Sequence, residues 1–262
     1  MTVYFHELRM TRRTMVVWGA GMACLNILCL LLFPEMKKQV ADLNAIFSSL
    51  GSFSAALGMD RLNIGSLTGF FAIECGSILS LGGGLYAAWA GGSIVSKEEQ
   101  GHTADFLFSH PISRTRILLD KLLALMTQIL ILNLIVYFAD LLGIILAGES
   151  IPWQSVSLIQ LASLLMQFCI GGLCFSISAL VSASASAISF GLTLLLYFLN
   201  LASNLNTHLE WLRWITPYSF CEGAWILEHG TLEWCYVFSS FVISACALGF
   251  ALWRYSRKDL LL

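Results

Sequence analysis

Apolar residues come in long runs along this chain, and polar residues gather between them. Runs at 15–33, 66–95, 117–147, 157–181, 187–205 and 234–253 each approach or exceed the ~20 residues a helix needs to cross a bilayer. The pattern predicts an all-α polytopic membrane protein, one domain over 1–262 with six transmembrane helices. The longest strongly polar interval is 94–122, between the second and third runs. Lys97, Glu98, Glu99, His102, Asp105, Arg114, Arg116, Asp120 and Lys121 give it charged or titratable groups, and Leu107, Phe108, Ile112 and Ile117 an apolar face. Pro111 disfavours helical geometry at His110, so the interval reads as helix, turn, short helix, then the next crossing. A membrane protein that docks a soluble partner would do so here.

The remaining intervals fit the same frame. Residues 1–14 carry Val3, Tyr4 and Leu8 beside Arg9, Arg12 and Arg13, a pattern for a short amphipathic helix at the inner membrane surface. No small-residue cleavage site follows, so the first run reads as a retained span rather than a signal peptide. The interval 206–233 is rich in aromatics, Trp211, Trp214, Tyr218, Phe220 and Trp225, as at membrane interfaces. Its apolar stretch is too short to cross and suits a re-entrant or interfacial helix. With both termini on one side, Arg9, Arg12, Arg13, Lys97, Arg114, Arg116, Lys121, Arg254, Arg257 and Lys258 share that side. Lys37, Lys38, Arg61 and Arg213 lie on the other. Lys and Arg favour the cytoplasmic side, so the expected termini are cytoplasmic.

Composition agrees. Of 262 residues, 58% are hydrophobic and 11% charged, against about 25% charged in soluble domains, and mean hydropathy is +0.79. The eight cysteines form no CxxC pair. Most fall within spans, where Cys acts as a small hydrophobe. Cys221 and Cys235 are the one candidate disulfide, and no metal site is expected. The glycines at 82–84 and 91–92 suit close helix packing.

Several chemistries are missing. There is no GxxxxGK[ST] phosphate loop, no HExxH and no GxSxG. All five histidines fall in loops or termini, which argues against intramembrane proteolysis. Nothing points to nucleic acid. Glu74 and Asp140 are the clear acids within spans. Such acids often work as relays, but both lie toward the outer ends of their spans, where a carboxylate reaching the interface is the simpler reading. An ion-coupled secondary carrier using Glu74 or Asp140 is the alternative, and a structural or sensory membrane protein a third.

The polar interval resembles one in the permease subunits of the ABC type-2 exporter family. That family carries, after its second span, a pattern close to E-[KR]-E-x-G-T-x-E-x-L-L, then a PISR-like turn and a KLLA start to the third span. Here these stand as KEEQGHTADFL (97–107), HPISR (110–114) and KLLA (121–124). His102 is inserted between Gly101 and Thr103, and Asp105 stands where Glu is commoner. ELR (7–9), LRWITPY (212–218) and RKDL (257–260) also match family positions, so the resemblance runs the length of the chain.

The resemblance implies a membrane unit that pairs with a second permease subunit and binds two separate ATPase subunits on the cytoplasmic side. ATP and Mg would then sit on the ATPase, with no cofactor in this chain. The interval 96–116 would be the coupling element, a cytoplasmic coupling helix between spans two and three. Its candidate residues are Glu98, Glu99, Gly101, Thr103, Asp105, Phe106, Leu107, Pro111 and Arg114. The carboxylates would meet a basic cleft, Phe106 and Leu107 would anchor in apolar pockets, and Arg114 would contact the ATPase or lipid phosphates. The expected location is a bacterial plasma membrane, and few charges along the spans favour hydrophobic or amphipathic cargo such as drugs, lipids or peptides.

Overall fold

A computed structural model describes residues 2–39, 62–100, 114–181 and 184–256. Among these, helices dominate and no strand occurs. The long helices are α1 (Thr2–Lys38), α2 (Leu67–Ser93), α4 (Arg114–Leu146), α5 (Trp153–Leu180), α6 (Ala185–Leu205) and α8 (Trp234–Ser256). Short α3 (Ser96–Gln100) follows α2, and short α7 (Gly223–His229) precedes α8. All six long helices are apolar enough to cross a membrane. They run alternately up and down, so the start of α1 and the end of α8 share one end of the bundle, here the near end. A helix satisfies its own backbone groups, which a bilayer interior demands.

The sequence places a boundary between an amphipathic N-terminal helix and the first crossing. The structure has one continuous α1 of 37 residues. At 1.5 Å per residue it is ~55 Å long, well beyond the ~30 Å of a hydrocarbon core. No Gly or Pro separates Thr14 from Met15, so nothing breaks the helix where its composition changes. Pro34 also lies inside α1. It removes only one backbone donor, and α1 continues for one more turn.

α2 and α5 form the enclosed centre, with α1 laid along α4, α8 against α5 and α6 beside α2. Phe71, Cys75, Leu79 and Tyr86 from α2 pack with Met166, Ile170, Cys174 and Phe175 from α5. Polar side chains add ties within this core. Asn133 of α4 donates to Gln167 Oε1 at 2.7 Å. Gln167 donates to the Leu79 carbonyl at 3.3 Å, and Gln160 to the Asn133 carbonyl at 2.9 Å. Such bonds help hold helices together where apolar surroundings weaken the drive to associate. The α2 glycines admit the neighbours. A Cβ on Gly83 would stand 2.0 Å from Gln167 Nε2, and one on Gly91 would stand 2.7 Å from the Gly171 carbonyl oxygen.

Beyond α6 the chain turns back into the bundle. A 3-10 helix (Thr207–Trp214) leads to Thr216, whose hydroxyl donates to the Leu196 carbonyl at 3.0 Å. Leu196 lies nine residues before the end of α6, a depth of ~14 Å. Tyr218 and Phe220 are buried there, and Tyr218 fills the space that the missing side chain of Gly84 leaves. α7 then climbs out past Ala72, which Gly223 touches. This stretch, too short to cross and read from the sequence as a re-entrant or interfacial helix, folds back into the bundle. Irregular backbone is tolerated at such depth because protein surrounds it.

Arg213 fastens both limbs of this segment. Its Nη2 donates at 2.9 Å to Glu222, where the chain rises into α7, and at 2.9 Å to Glu233, just before α8. Its guanidinium also lies 5.0 Å from the Tyr236 ring centre. Burial pushes the Glu233 carboxyl above its ordinary value, and Arg213 opposes that shift. Replacing Arg213 with Ala deprives Glu222 and Glu233 of their shared cation. The expected loss is about 1–3 kcal/mol, less than for a fully buried pair because all three groups keep some solvent contact. Thermal unfolding in detergent measures it, and an unchanged melting temperature would show that the clamp contributes nothing.

Candidate functional site

At the near end three elements converge on one ammonium group. Lys121 lies two turns into α4, and its side chain is 1% exposed. Its Nζ donates to Glu7 Oε1 of α1 at 2.5 Å, to Glu98 Oε1 of α3 at 2.6 Å and to the Ile94 carbonyl at 2.8 Å. A lysine has three donors and no acceptor, so all three are used. Glu7 is equally enclosed at 1% exposed, and its second oxygen accepts from Lys97 of α3. Two carboxylates thus face two ammoniums, and the four formal charges cancel.

Local sequence explains why these groups meet. α2 ends at Ser93, with Ile94 as its helical C-cap residue, and α3 begins at Ser96. The Ser178 hydroxyl of α5 accepts from the Val95 and Ser96 amides, at 3.1 and 2.9 Å. This satisfies amides at the junction and fixes the direction in which α3 leaves α2. Tyr4 of α1, one turn before Glu7, donates at 3.1 Å to Thr127 of α4, six residues past Lys121. The cluster therefore binds α1, α3 and α4, and the serine contact adds α5.

Buried charge is stable only when paired and hydrogen-bonded, and removing one partner strands the other. Charge-assisted bonds of this kind are short and directional. The cluster therefore ties α3 to Lys121 of α4 and Glu7 of α1 through buried ion pairs.

Of the residues read from sequence as coupling candidates, Glu98 joins this cluster. Its side chain is 18% exposed and turned toward Lys121. Glu99 belongs to the α3 backbone, and Arg114 is the first residue of α4. Gly101, Thr103, Asp105, Phe106, Leu107 and Pro111 lie outside the described residues. Glu7, Lys97 and Lys121 were visible as charges, but their meeting was not. The available signal was a charge at the mouth of a long apolar run, which needs a partner.

The two acids of the spans differ from each other. Glu74 is half-buried on α2. Asp140 does not reach an interface as the sequence suggests. It is fully buried and accepts from Asn26 Nδ2 of α1 at 2.7 Å. α4 continues to Leu146, a turn and a half beyond it, and turns that face toward α1. Cys221 and Cys235 are both free rather than paired: Cys221 packs on the core while Cys235 is exposed at the start of α8. Among the described residues no cluster of three or more His, Cys, Asp or Glu is placed to hold a metal ion.

No curated protein matches the chain. A family model described as ABC-2 family transporter protein matches residues 1–260, and membrane subunits of that family work with ATPase partners. Six apolar crossings, with the polar interval set between the second and third, are the frame on which that match lies. The chain belongs to the ABC-2 transporter family, as a multi-pass membrane subunit.

Proposed function

We propose that this chain is the permease subunit of an ATP-binding cassette exporter, with its near end in the cytoplasm and a separate ATPase seated there. The observation that carries this reading is the Glu7–Lys97–Glu98–Lys121 cluster. It joins the helix that opens the polar interval to the first helix and the third crossing. The Lys/Arg bias toward the near end supports a cytoplasmic position.

In this reading, residues 101–113 meet the ATPase, with Asp105 as a charge partner and Phe106 and Leu107 as apolar anchors. Glu98 and Lys97 work behind that contact, as transmitters rather than as docking groups. ATP and Mg bind to the ATPase. When the ATPase closes, α3 moves, and the cluster conveys the movement to α1 and α4 as a packed pair. Rigid-body displacement of packed helices is the common means of such switching. Two permease subunits complete the pathway in a bacterial plasma membrane, and the apolar spans favour hydrophobic or amphipathic cargo.

Co-expression with a candidate ABC ATPase subunit from the same organism, followed by affinity purification of either chain, tests the docking. Wild type is expected to co-purify, and Phe106→Asp with Leu107→Asp to lose the partner while remaining folded. A wild-type pair that separates under mild conditions would count against the proposal. Transmission is tested separately in inverted vesicles. Glu7→Gln is expected to keep the ATPase bound while ATP-driven transport falls about tenfold, a change of ~1.4 kcal/mol. Undiminished transport would exclude the cluster as a transmitter. In thermal unfolding, Lys121→Met is expected to destabilise strongly, and adding Glu7→Gln to cost less than the sum of the single changes. A coupling energy of about 1–3 kcal/mol is typical of groups in one network. Additive losses would mean that the two residues act independently.

A further inference from the structure

Asn26 and Asp140 meet between α1 and α4, inside the apolar zone, and both are completely buried. One hydrogen bond joins them, from Asn26 Nδ2 to Asp140 Oδ1 at 2.7 Å. Each residue has one further oxygen, Asn26 Oδ1 and Asp140 Oδ2, and each of these is buried without a hydrogen-bond partner. These two unsatisfied atoms belong to the two members of the same bonded pair.

An ionised aspartate is an acceptor only. In that state Asp140 Oδ2 would hold buried charge with no donor, and Asn26 Oδ1 would lack a donor as well. Burying such groups unpaired is strongly unfavourable. Among the described residues no nearby cation offsets it. The Cys75 thiol of α2 interacts electrostatically with Asp140, and the Cys29 thiol of α1 and the Glu74 carboxyl of α2 act on that thiol in turn. None of these carries positive charge. Lys37, at the far end of α1, already pairs with Glu149 at 2.7 Å.

The geometry points to a proton-binding site at Asp140, occupied in the folded protein. With an O–H on Oδ2, the carboxyl donates to Asn26 Oδ1 while Oδ1 still accepts from Asn26 Nδ2. Acid and amide then form a neutral ring of two opposed hydrogen bonds. One proton satisfies both stranded oxygens and removes the buried charge. The pair becomes an uncharged clasp holding α1 on α4 at depth, distinct from the charged cluster at the near end. This inference is independent of the transport reading.

Infrared spectroscopy of the full chain in lipid nanodiscs tests it, with aspartate labelled by 13C at the side-chain carboxyl. At pH 7 the label is expected to shift the C=O band of a neutral, hydrogen-bonded carboxylic acid. That band should vanish in Asp140→Asn, which keeps the clasp as two amides and should melt close to wild type. A label that moves only carboxylate bands would overturn the inference, as would an acid band that persists in Asp140→Asn. The labelled wild type decides the first point even where that variant fails to fold. Asn26→Val supplies the second, because it should move the acid band to higher frequency by removing the amide partner.

Discussion

Lys121 directs all three of its protons into the protein. Its charge lies at the mouth of a long apolar helix, where neither water nor lipid headgroup reaches it. The position is tenable only because Glu7, Glu98 and the Ile94 carbonyl converge there from three directions. That requirement fixes much else. It sets the rotation of α1 about its axis, the exit angle of α3 and the height of α4 relative to both. Helices in apolar surroundings gain little from hydrophobic attraction to one another, so a few polar contacts determine how they register. The Asn26–Asp140 pair has the same part farther along the α1–α4 seam, and Gln167 between α2 and α4.

The sequence exposes the crossings plainly, because a bilayer leaves a long apolar run little alternative to a helix. It also exposes the polar interval, an apolar stretch in 206–233 too short to cross, and the packing use of the glycines. It does not show which faces meet. α1 and α4 are apolar around most of their circumference, so no stripe marks the buried side, and Asp140 was read from its place near the outer end of its span as reaching the interface. Glu7 was visible only as part of a short N-terminal element. Its partners lie more than 80 positions away, and no local pattern connects them. The boundary drawn at Thr14 failed for a related reason: composition changes there, but nothing in the backbone stops.

Inside and outside also separate clearly among the helices. α2 and α5 are largely enclosed, whereas α6 and α8 leave most of their apolar surface open to lipid or to other protein. Fixed contacts are concentrated at both ends of the bundle, in the Lys121 cluster and around Arg213. The polar bonds of the middle join chiefly α1, α2, α4 and α5, and Ser244 ties α8 to the Cys169 carbonyl of α5 at 3.2 Å.

The glycine face of α2 bears on how variants of this chain should be interpreted. Gly83, Gly84, Gly91 and Gly92 each lie where a Cβ would press on a different neighbour: Gln167, Tyr218, the Gly171 carbonyl and Ser189. Those neighbours come from α5, α6 and the re-entrant segment. A scan of substitutions along α2 would therefore draw a band of intolerance down one side of the helix, resembling the lining of a substrate path. In this chain such a band would map steric exclusion between helices, and cargo contacts would have to be sought on other surfaces.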